Sequence, residues 1–356
     1  MNKNQYNRQI ILPEIGEEGQ QKLSKSKVLV IGAGGLGCAI LPYLAGAGVG
    51  EIGIIDDDVI EISNLHRQVI YKTSEVGKLK AEQAKLMISE LNPQIKVNAF
   101  SEKLSGKNAI SLFENYDIIV DATDSISIKY LISDACQVTN KPMVYGSIFR
   151  FQGQVSVFNF QNGPTYRCLY PDENSNALNC EDAGVIGVTV GIIGMLQANE
   201  VIKMILGIGE VLNGKILVYS ILNNEQQKYD FDKTSFQEIT KEEFENKYNS
   251  DGNQIQEIKF ESVLEEINND EVLFLDVRNF DESAKINLQH QIQIPLMNLE
   301  KEILKLDKNQ TIYVFCQSGI RSKIAVELLQ KHQFKNIKSI AGGALAMKQL
   351  LKEEKI

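Results

Sequence analysis

The 356-residue sequence is poor in cysteine, and it has neither an excess of positive charge nor a long hydrophobic run. Five cysteines are too few for a disulfide framework in a chain of this length, so we expect reduced thiols. The net charge of −9 argues against a general nucleic-acid-binding protein, which needs clustered lysine and arginine. The longest mostly apolar stretch, residues 185–198, is too short and too rich in glycine to span a bilayer, and the first residues lack the apolar core of a signal peptide. We therefore expect a cytoplasmic protein that binds neither nucleic acid nor membrane.

Alternating strand and helix patterns predict an α/β protein with a Rossmann-like first domain and a second, smaller α/β domain. In the first domain, near-continuous Val/Ile runs indicate a parallel sheet, and two later strands with an antiparallel pattern make it a mixed sheet. These predicted strands are residues 27–31, 51–56, 116–124, 142–146, 152–161 and 214–224. The polar segment 236–257 predicts a linker, so the predicted domains are 1–235 and 258–356.

A glycine-rich turn, Gly32-Ala33-Gly34-Gly35-Leu36-Gly37, follows the first predicted strand and begins a helix. Such a turn lets phosphate groups approach the backbone at a helix N-terminus, as in Rossmann-type nucleotide sites. Asp56 ends the second strand, where a carboxylate can hold ribose hydroxyls. Taken alone, this pattern favours a nicotinamide-dependent dehydrogenase.

The polar residues that follow favour a triphosphate instead. Asn64, Arg67 and Gln68 cluster after the second strand, and Lys80 begins a predicted helix, where its charge opposes the helix dipole. A cation in that position suggests a bound anion. A triphosphate needs such cations, whereas the backbone largely serves the pyrophosphate of a dinucleotide.

Two aspartates, Asp121 and Asp124, lie at the carboxyl end of a later predicted strand, which is the ligand side of an open sheet. Carboxylates beside a triphosphate imply Mg²⁺, which takes one or two protein oxygens and keeps several waters. A role for Asp121 in capping a turn or helix is equally compatible with its position.

In order along the chain, the motifs resemble the MoeB/ThiF family of ubiquitin-activating-enzyme-like adenylyltransferases. The matching segments within residues 5–230 are RQIILPEIGEEGQQKL, GAGGLG, DDDVIEISNLHRQ, VGKLKAEQAK, DATDS and CEDAGVIG. The resemblance implies ATP-dependent adenylation of the C-terminal glycine of a ubiquitin-like sulfur carrier ending in Gly-Gly, such as the molybdopterin synthase small subunit or ThiS. The implied nucleotide-binding residues are Gly34, Gly35, Gly37, Asp56, Asn64, Arg67, Gln68 and Lys80, with Mg²⁺ held by Asp124. Arg8 would reach the ATP site of a partner subunit, as an arginine finger does, which implies a homodimer.

The sequence departs from this family at its zinc motif. Many relatives carry two Cys-x-x-Cys pairs, whereas here the first pair has Thr165 in place of one cysteine beside Cys168, and no cysteine lies between residues 181 and 315. One thiolate cannot form a four-cysteine site, so we predict no zinc. Cys180 matches a cysteine that in relatives takes part in carrier transfer, as a thioester or as a resolving thiol.

A second reactive group is predicted near the C-terminus, where Cys316 ends a strand and the loop CQSGIRS leads into a helix. Backbone amides and the helix N-terminus can stabilise a thiolate there, and we expect Arg321 to strengthen the positive field. The Cys-x₄-Arg spacing is one residue shorter than that of tyrosine phosphatases and suits a persulfide better than a phosphate.

Residues 258–350 resemble a rhodanese domain, which implies a persulfide on Cys316. The implied persulfide loop consists of Cys316, Gln317, Ser318, Gly319, Ile320, Arg321 and Ser322. The expected function is therefore adenylation of a carrier followed by sulfur transfer that forms a thiocarboxylate, with a cysteine desulfurase as an example of the sulfur donor. A nicotinamide-dependent oxidoreductase and a non-catalytic carrier-binding scaffold are the alternatives.

Overall fold

The computed structural model describes residues 3–171, 173, 184–234, 239–249, 256–283 and 285–353. The chain folds into two compact units, residues 1–249 and 250–356. The α/β class predicted for both regions is confirmed.

The first unit is built on one mixed sheet. Its helices are α1 (Lys3–Ile10), α2 (Gly16–Lys25), α3 (Gly35–Ala47), α4 (Lys80–Leu91), α5 (Gly106–Phe113), α6 (Ile126–Thr139), α7 (Tyr166–Leu169), α8 (Gly187–Leu206) and α9 (Lys241–Tyr248). Its strands are β1 (Lys27–Ile31), β2 (Glu51–Ile55), β3 (Lys96–Phe100), β4 (Ile118–Asp121), β5 (Met143–Phe149), β6 (Gln152–Phe158), β7 (Lys215–Ser220) and β8 (Glu225–Asp230).

The strand order β3-β2-β1-β4-β5-β6-β7-β8 places β1 at the centre of the nucleotide-binding half. Pairing is parallel from β3 to β5 and antiparallel from β5 to β8. Every residue of β1 after Lys27 is buried, because this Val-Leu-Val-Ile run is covered by helices on both faces. The strand order reverses direction between β1 and β4, so a crevice lies at their carboxyl ends, where such sheets bind ligands.

Helix α8 is an apolar core helix of the first unit. By length and composition alone it is the one described helix that could cross a membrane. It packs against α3, β5 and β6, and a Cβ added at Gly194 would lie only 2.7 Å from the Cβ of Ala39. Its burial within the unit accounts for its apolar composition.

The second unit contains a five-stranded parallel sheet in the order β11-β10-β12-β13-β9. Its strands are β9 (Glu257–Ile258), β10 (Val272–Asp276), β11 (Gln291–Gln293), β12 (Thr311–Phe315) and β13 (Ile337–Ile340). Its helices are α10 (Leu296–Glu302), α11 (Ile320–Lys331) and α12 (Gly343–Glu353). The central strand β12 is buried from Ile312 to Phe315, and four residues separate its end from the start of α11.

The segment predicted as a linker contains a folded helix, α9. Thr240 caps its N-terminus by accepting a hydrogen bond from the Glu243 N–H at 3.2 Å, and Phe244 is fully buried against the first unit. The predicted linker 236–257 thus includes one folded helix at residues 241–248, and its bounds stay a prediction. The polar composition reflects the exposed face of an amphipathic helix rather than an absence of packing.

Helix α9 is also attached to the first unit by a buried charge cluster. Asp134 on α6 is fully buried and accepts hydrogen bonds from the Arg167 Nε at 2.7 Å and from the Tyr248 hydroxyl at 2.7 Å. Lys247 also contacts Asp134, and Glu173 pairs with both Arg167 and Lys247. Asp134 thus connects α6, α7 and α9 through one carboxylate.

We predict that Asp134→Ala lowers the free energy of unfolding of the full chain by about 3–5 kcal/mol, because it leaves partly buried cations without their main partner. Urea denaturation measures this change. Glu245→Ala removes an exposed carboxylate from α9 and should change stability by less than about 0.5 kcal/mol. Equal stability of the two variants would contradict the role assigned to Asp134.

Candidate active sites

The glycine turn lies between the end of β1 and the start of α3 and can only be built from glycine. Gly32 has φ +98°, and a Cβ at Gly37 would lie 2.2 Å from the Gly32 carbonyl oxygen. A Cβ at Gly35 would lie 2.5 Å from the Cγ1 of Val190 on α8. The turn therefore brings bare backbone and the N-terminus of α3 to the crevice, as a phosphate site requires.

Asp56 supports this turn from the end of β2. Its Oδ2 accepts a hydrogen bond from the Ala33 N–H at 2.7 Å, and its Oδ1 accepts one from the Asp58 N–H at 2.9 Å. Burial raises the pKa of Asp56, although these two hydrogen bonds and the charge of Lys80 favour the carboxylate. In the free protein, Asp56 thus contributes to the shape of the turn.

Lys80, at the start of α4, is 6% exposed and lies 2.7 Å from Asp58 Oδ2. In this structure Asp58 supplies the negative charge that faces Lys80 in the first turn of α4. The Asp58 side chain is 66% exposed, so it can turn into solvent. Lys80 is therefore paired with Asp58, a partner that a bound anion could replace.

The segment between β2 and α4 carries the other predicted phosphate-binding residues. Gln68 is 3% exposed, its Nε2 lies 3.6 Å from the place of a Cβ on Gly34, and its Oε1 is a buried acceptor that lacks a hydrogen-bond partner in the described structure. Asn64 is buried and accepts a hydrogen bond from the Glu61 N–H, whereas Arg67 donates to the Ser63 carbonyl. Gln68 thus lies against the glycine turn, while Asn64 and Arg67 shape the segment itself.

At the end of β4 the two predicted aspartates have different environments. Asp121 is fully buried, and its Oδ2 accepts a hydrogen bond from Lys129 Nζ at 2.7 Å. The same ammonium donates to the carbonyls of Thr123 at 2.8 Å and Gly146 at 2.9 Å. Asp124 is exposed at the crevice edge. Of the two roles left open for Asp121, its contacts agree with the structural one, since its carboxylate fixes this loop, whereas the Asp124 side chain is exposed.

In the second unit, Cys316 stands directly after β12 and is 1% exposed. Its Sγ accepts a hydrogen bond from the Gly319 N–H at 3.2 Å and lies 3.8 Å from the Ser322 Oγ. Ser322 Oγ also donates to the Gly319 carbonyl and is 2.8 Å from Ser339 Oγ on β13. The predicted loop therefore surrounds the sulfur with backbone amide and hydroxyl groups ahead of α11.

The N-terminus of α12 holds the other side of this loop. The Ala344 N–H donates to the Cys316 carbonyl at 2.7 Å, and the Leu345 N–H donates to the Gln317 carbonyl at 3.2 Å. Gly343 has φ +55°, and a Cβ there would lie 2.3 Å from the Cys316 carbonyl oxygen. Only glycine allows this approach of helix and loop.

A model of the ThiF family matches residues 6–239, and a model of the rhodanese-like domain matches residues 259–350. The chain belongs to the ThiF family. A relative from Porphyra purpurea named probable molybdopterin-synthase adenylyltransferase is 39% identical over 99% of this chain and 94% of that protein. The adenylyltransferase and sulfurtransferase MOCS3 of Arabidopsis thaliana is 35% identical over 95% of this chain and 82% of its own length. The MOCS3 of Culex quinquefasciatus is 50% identical over 60% of this chain, but this covers 49% of that protein.

Solved structures similar to this ThiF-family chain agree on the fold. A crystal structure of E. coli MccB with MccA-N7isoASN aligns with a TM-score of 0.58 at 22% identity, over 66% of this chain and 73% of MccB. A structure of PaaA aligns with a TM-score of 0.56 at 24% identity, over 65% of this chain and 74% of PaaA. At this identity the likeness concerns the fold alone.

Arg321 corrects a second expectation about this ThiF-family protein. Its two terminal nitrogens each donate to Glu282 at 2.6 Å, so its charge is neutralised rather than directed at Cys316. Arg278, which sequence reasoning missed, is bidentate to the buried Asp276 and donates to Gln317 Oε1 at 3.2 Å. The sequence signal for Arg278 was its position two residues after Asp276, at the end of the buried strand β10.

Other predicted residues have simpler positions. Arg8 is exposed in the last turn of α1, and Cys180 lies outside the described residues. Cys38 and Cys136 are buried in the core, and burial raises the pKa of Cys38 to about 12. Neither thiol is therefore suited to transfer chemistry.

At the position of the first zinc-binding cysteine pair, Thr165 and Cys168 are joined by hydrogen bonds. Burial opposes ionisation of Cys168, but hydrogen bonds from Thr165 and Thr234 outweigh it and hold its pKa below the usual value. Within the described ranges, no group of three or more histidine, cysteine, aspartate or glutamate side chains is placed to hold a metal. The absence of zinc stays a prediction.

We predict that Gly37→Ala weakens ATP binding about 100-fold, because its Cβ forces the Gly32 carbonyl and the start of α3 apart. Isothermal titration with ATP measures this change. Gly46→Ala is the matched control on the same helix, where a Cβ meets nothing within 4 Å and should slightly stabilise α3. ATP affinity that falls equally in both variants would show that the close contact at Gly37 is not the cause.

Proposed function

We propose that this ThiF-family enzyme adenylates the C-terminal glycine of a ubiquitin-like sulfur carrier and then replaces the adenylate with sulfur carried on Cys316. The observation that carries the proposal is the presence in one chain of a glycine-only phosphate turn and a backbone-cradled thiol. Full-length relatives named molybdopterin-synthase adenylyltransferase support the small subunit of molybdopterin synthase as the carrier.

ATP would occupy the crevice between β1 and β4. The bare backbone from Gly34 to Gly37 fits phosphate groups, and the buried Oε1 of Gln68 offers an acceptor to the nucleotide. Lys80 can exchange the exposed Asp58 for a phosphate. Asn64, Arg67 and Asp56 would complete the site from the neighbouring loop and strand.

Mg²⁺ would fit Asp124, the exposed carboxylate just after β4, because this ion binds through one or two carboxylates and substrate phosphates. Bound there, it would neutralise charge on the triphosphate. Lys129 holds the preceding residue, Thr123, through its carbonyl and so fixes where Asp124 begins. Arg8 of a second copy would add positive charge, which requires a homodimer.

The first reaction converts a poor leaving group into a good one. A carboxylate oxygen of the carrier attacks the α-phosphorus of ATP, the bond to the β-phosphate breaks, and pyrophosphate leaves. The protein's task is to position these groups and balance their charge. The extended Gly-Gly end of the carrier suits a narrow crevice.

The second reaction uses the outer sulfur of a persulfide on Cys316. This sulfur attacks the acyl carbon, AMP leaves, and an acyl disulfide to Cys316 forms. Attack of the Cys180 thiolate on the Cys316 sulfur then releases the thiocarboxylate and leaves a disulfide between the two cysteines. A cytoplasmic thiol reductant would then reduce this disulfide by two electrons, and a persulfide donor such as a cysteine desulfurase would transfer its outer sulfur to the restored Cys316 thiolate.

We predict that carrier-dependent ATP–pyrophosphate exchange falls at least about 100-fold in Asp124→Ala, because the carboxylate that would hold Mg²⁺ is lost. Asp232→Ala removes an exposed aspartate just after β8 and should leave exchange unchanged. Full exchange in Asp124→Ala, or none in the natural chain with any Gly-Gly carrier, would refute this assignment.

We predict that Cys316→Ser retains full pyrophosphate exchange but forms no thiocarboxylate, since serine cannot carry the persulfide sulfur. Mass spectrometry of the carrier detects the 16-Da difference between an oxygen and a sulfur, a value set by the two atomic masses. Cys168→Ser is the matched control and should form thiocarboxylate normally. Thiocarboxylate made by Cys316→Ser with a protein persulfide donor would overturn the sulfur-transfer half.

A further inference from the structure

Two arginines lie beside the persulfide loop, and each is bound to a carboxylate. Arg278 is 3% exposed and pairs with Asp276 at 2.6 Å. Arg321 forms a two-pronged pair with Glu282, in which both nitrogen–oxygen distances are 2.6 Å. The loop therefore presents little net positive charge to whatever approaches Cys316.

The Glu282–Arg321 pair is held in a fixed geometry. The Arg321 side chain is 28% exposed and the Glu282 side chain 23%. The Asn279 N–H donates a further hydrogen bond to Glu282 at 2.8 Å. Arg321 also holds the pKa of Glu282 below its usual range, so the carboxylate is charged at neutral pH. Unlike the exposed Asp58 beside Lys80, Glu282 has a backbone partner that keeps it in place.

This neutralised arginine affects which sulfur donor the loop accepts. The outer sulfur of a protein persulfide arrives with at most one negative charge, at a loop in which the Gly319 N–H already donates to the Cys316 Sγ. Thiosulfate, like sulfate and phosphate, carries up to two charges, and a guanidinium with available donors binds such an anion much more strongly than backbone amides alone. An anion of that class would have to separate Arg321 from Glu282 first.

We propose that Glu282 determines donor specificity, because by binding Arg321 it excludes divalent oxyanions from the loop and reserves Cys316 for persulfide donors. This inference rests on the proposed function in one respect, namely that Cys316 carries the sulfur. It assigns to Glu282 no contact with the reacting atoms.

Thiosulfate and cyanide test the inference on the full chain. The Cys316 thiolate attacks the outer sulfur of thiosulfate, the sulfur–sulfur bond breaks, and sulfite leaves with the bonding electrons. Cyanide then takes the sulfur as thiocyanate and restores the thiolate. We expect the KM for thiosulfate to fall about tenfold in Glu282→Gln, because Arg321 regains its donors. Sulfate should become a competitive inhibitor of the same variant.

Two further variants separate specificity from general loosening. Glu257→Gln removes one charge from the ion pair with Lys323, which lies on α11 as Arg321 does. This variant should leave the KM for thiosulfate unchanged. Glu282→Gln combined with Arg321→Gln should lose the gain, because the freed cation is then absent. A gain that persists in the double variant would overturn the inference, as would an unchanged KM in Glu282→Gln.

One further measurement distinguishes a failure of the inference from a failure of the proposed function. Mass spectrometry of the natural chain after incubation with a protein persulfide donor reports whether Cys316 gains a sulfur atom. If it does and the KM for thiosulfate does not respond to Glu282→Gln, the inference alone fails. If Cys316 gains no sulfur from the protein donor or from thiosulfate, the proposed function fails with it.

Discussion

The nucleotide crevice depends on the hydrogen bonds that the buried ammonium of Lys129 donates. Lys129 is 3% exposed and joins the end of β4, through Asp121 and Thr123, to β5, through Gly146. A desolvated cation of this kind is tolerated only because three oxygens accept hydrogen bonds from it. Since Thr123 directly precedes Asp124, the same contacts set the edge of the crevice. The parallel half of the sheet thus ends in a rigid rim.

The two sites share one construction and differ in how their cations are used. In each, a buried parallel strand ends in a loop whose backbone amides precede a helix, and a nearby cation, Lys80 or Arg321, is paired with a carboxylate. Lys80 has an exposed partner that can yield to a phosphate, whereas Arg321 has a partner fixed by the Asn279 backbone. The difference matches a site that must bind a highly charged nucleotide and a site that must handle a single sulfur.

Sequence periodicity predicted the buried strands of the first unit well, because a covered parallel strand has a continuous apolar pattern. It missed β3, whose residues are only partly buried, β8, whose residues are all exposed, and α9, whose apolar side is essentially Phe244. The glycine turn and the cysteine loop were recognisable because local backbone geometry imposes them. The pairing of Arg321 with Glu282, 39 positions away, was not, because ion pairs depend on tertiary packing that no local pattern encodes.

The contact between α12 and the cysteine loop links the last helix of the chain to catalysis about thirty residues upstream. Ala344 and Leu345 hold the two carbonyls that flank the reactive sulfur. A nonsense codon just before Gly343 would therefore leave every described contact of the ATP crevice unchanged while removing the support of Cys316. In genetic terms, the codons of this helix are where separation-of-function alleles would arise, which are competent for carrier activation and deficient in sulfur delivery.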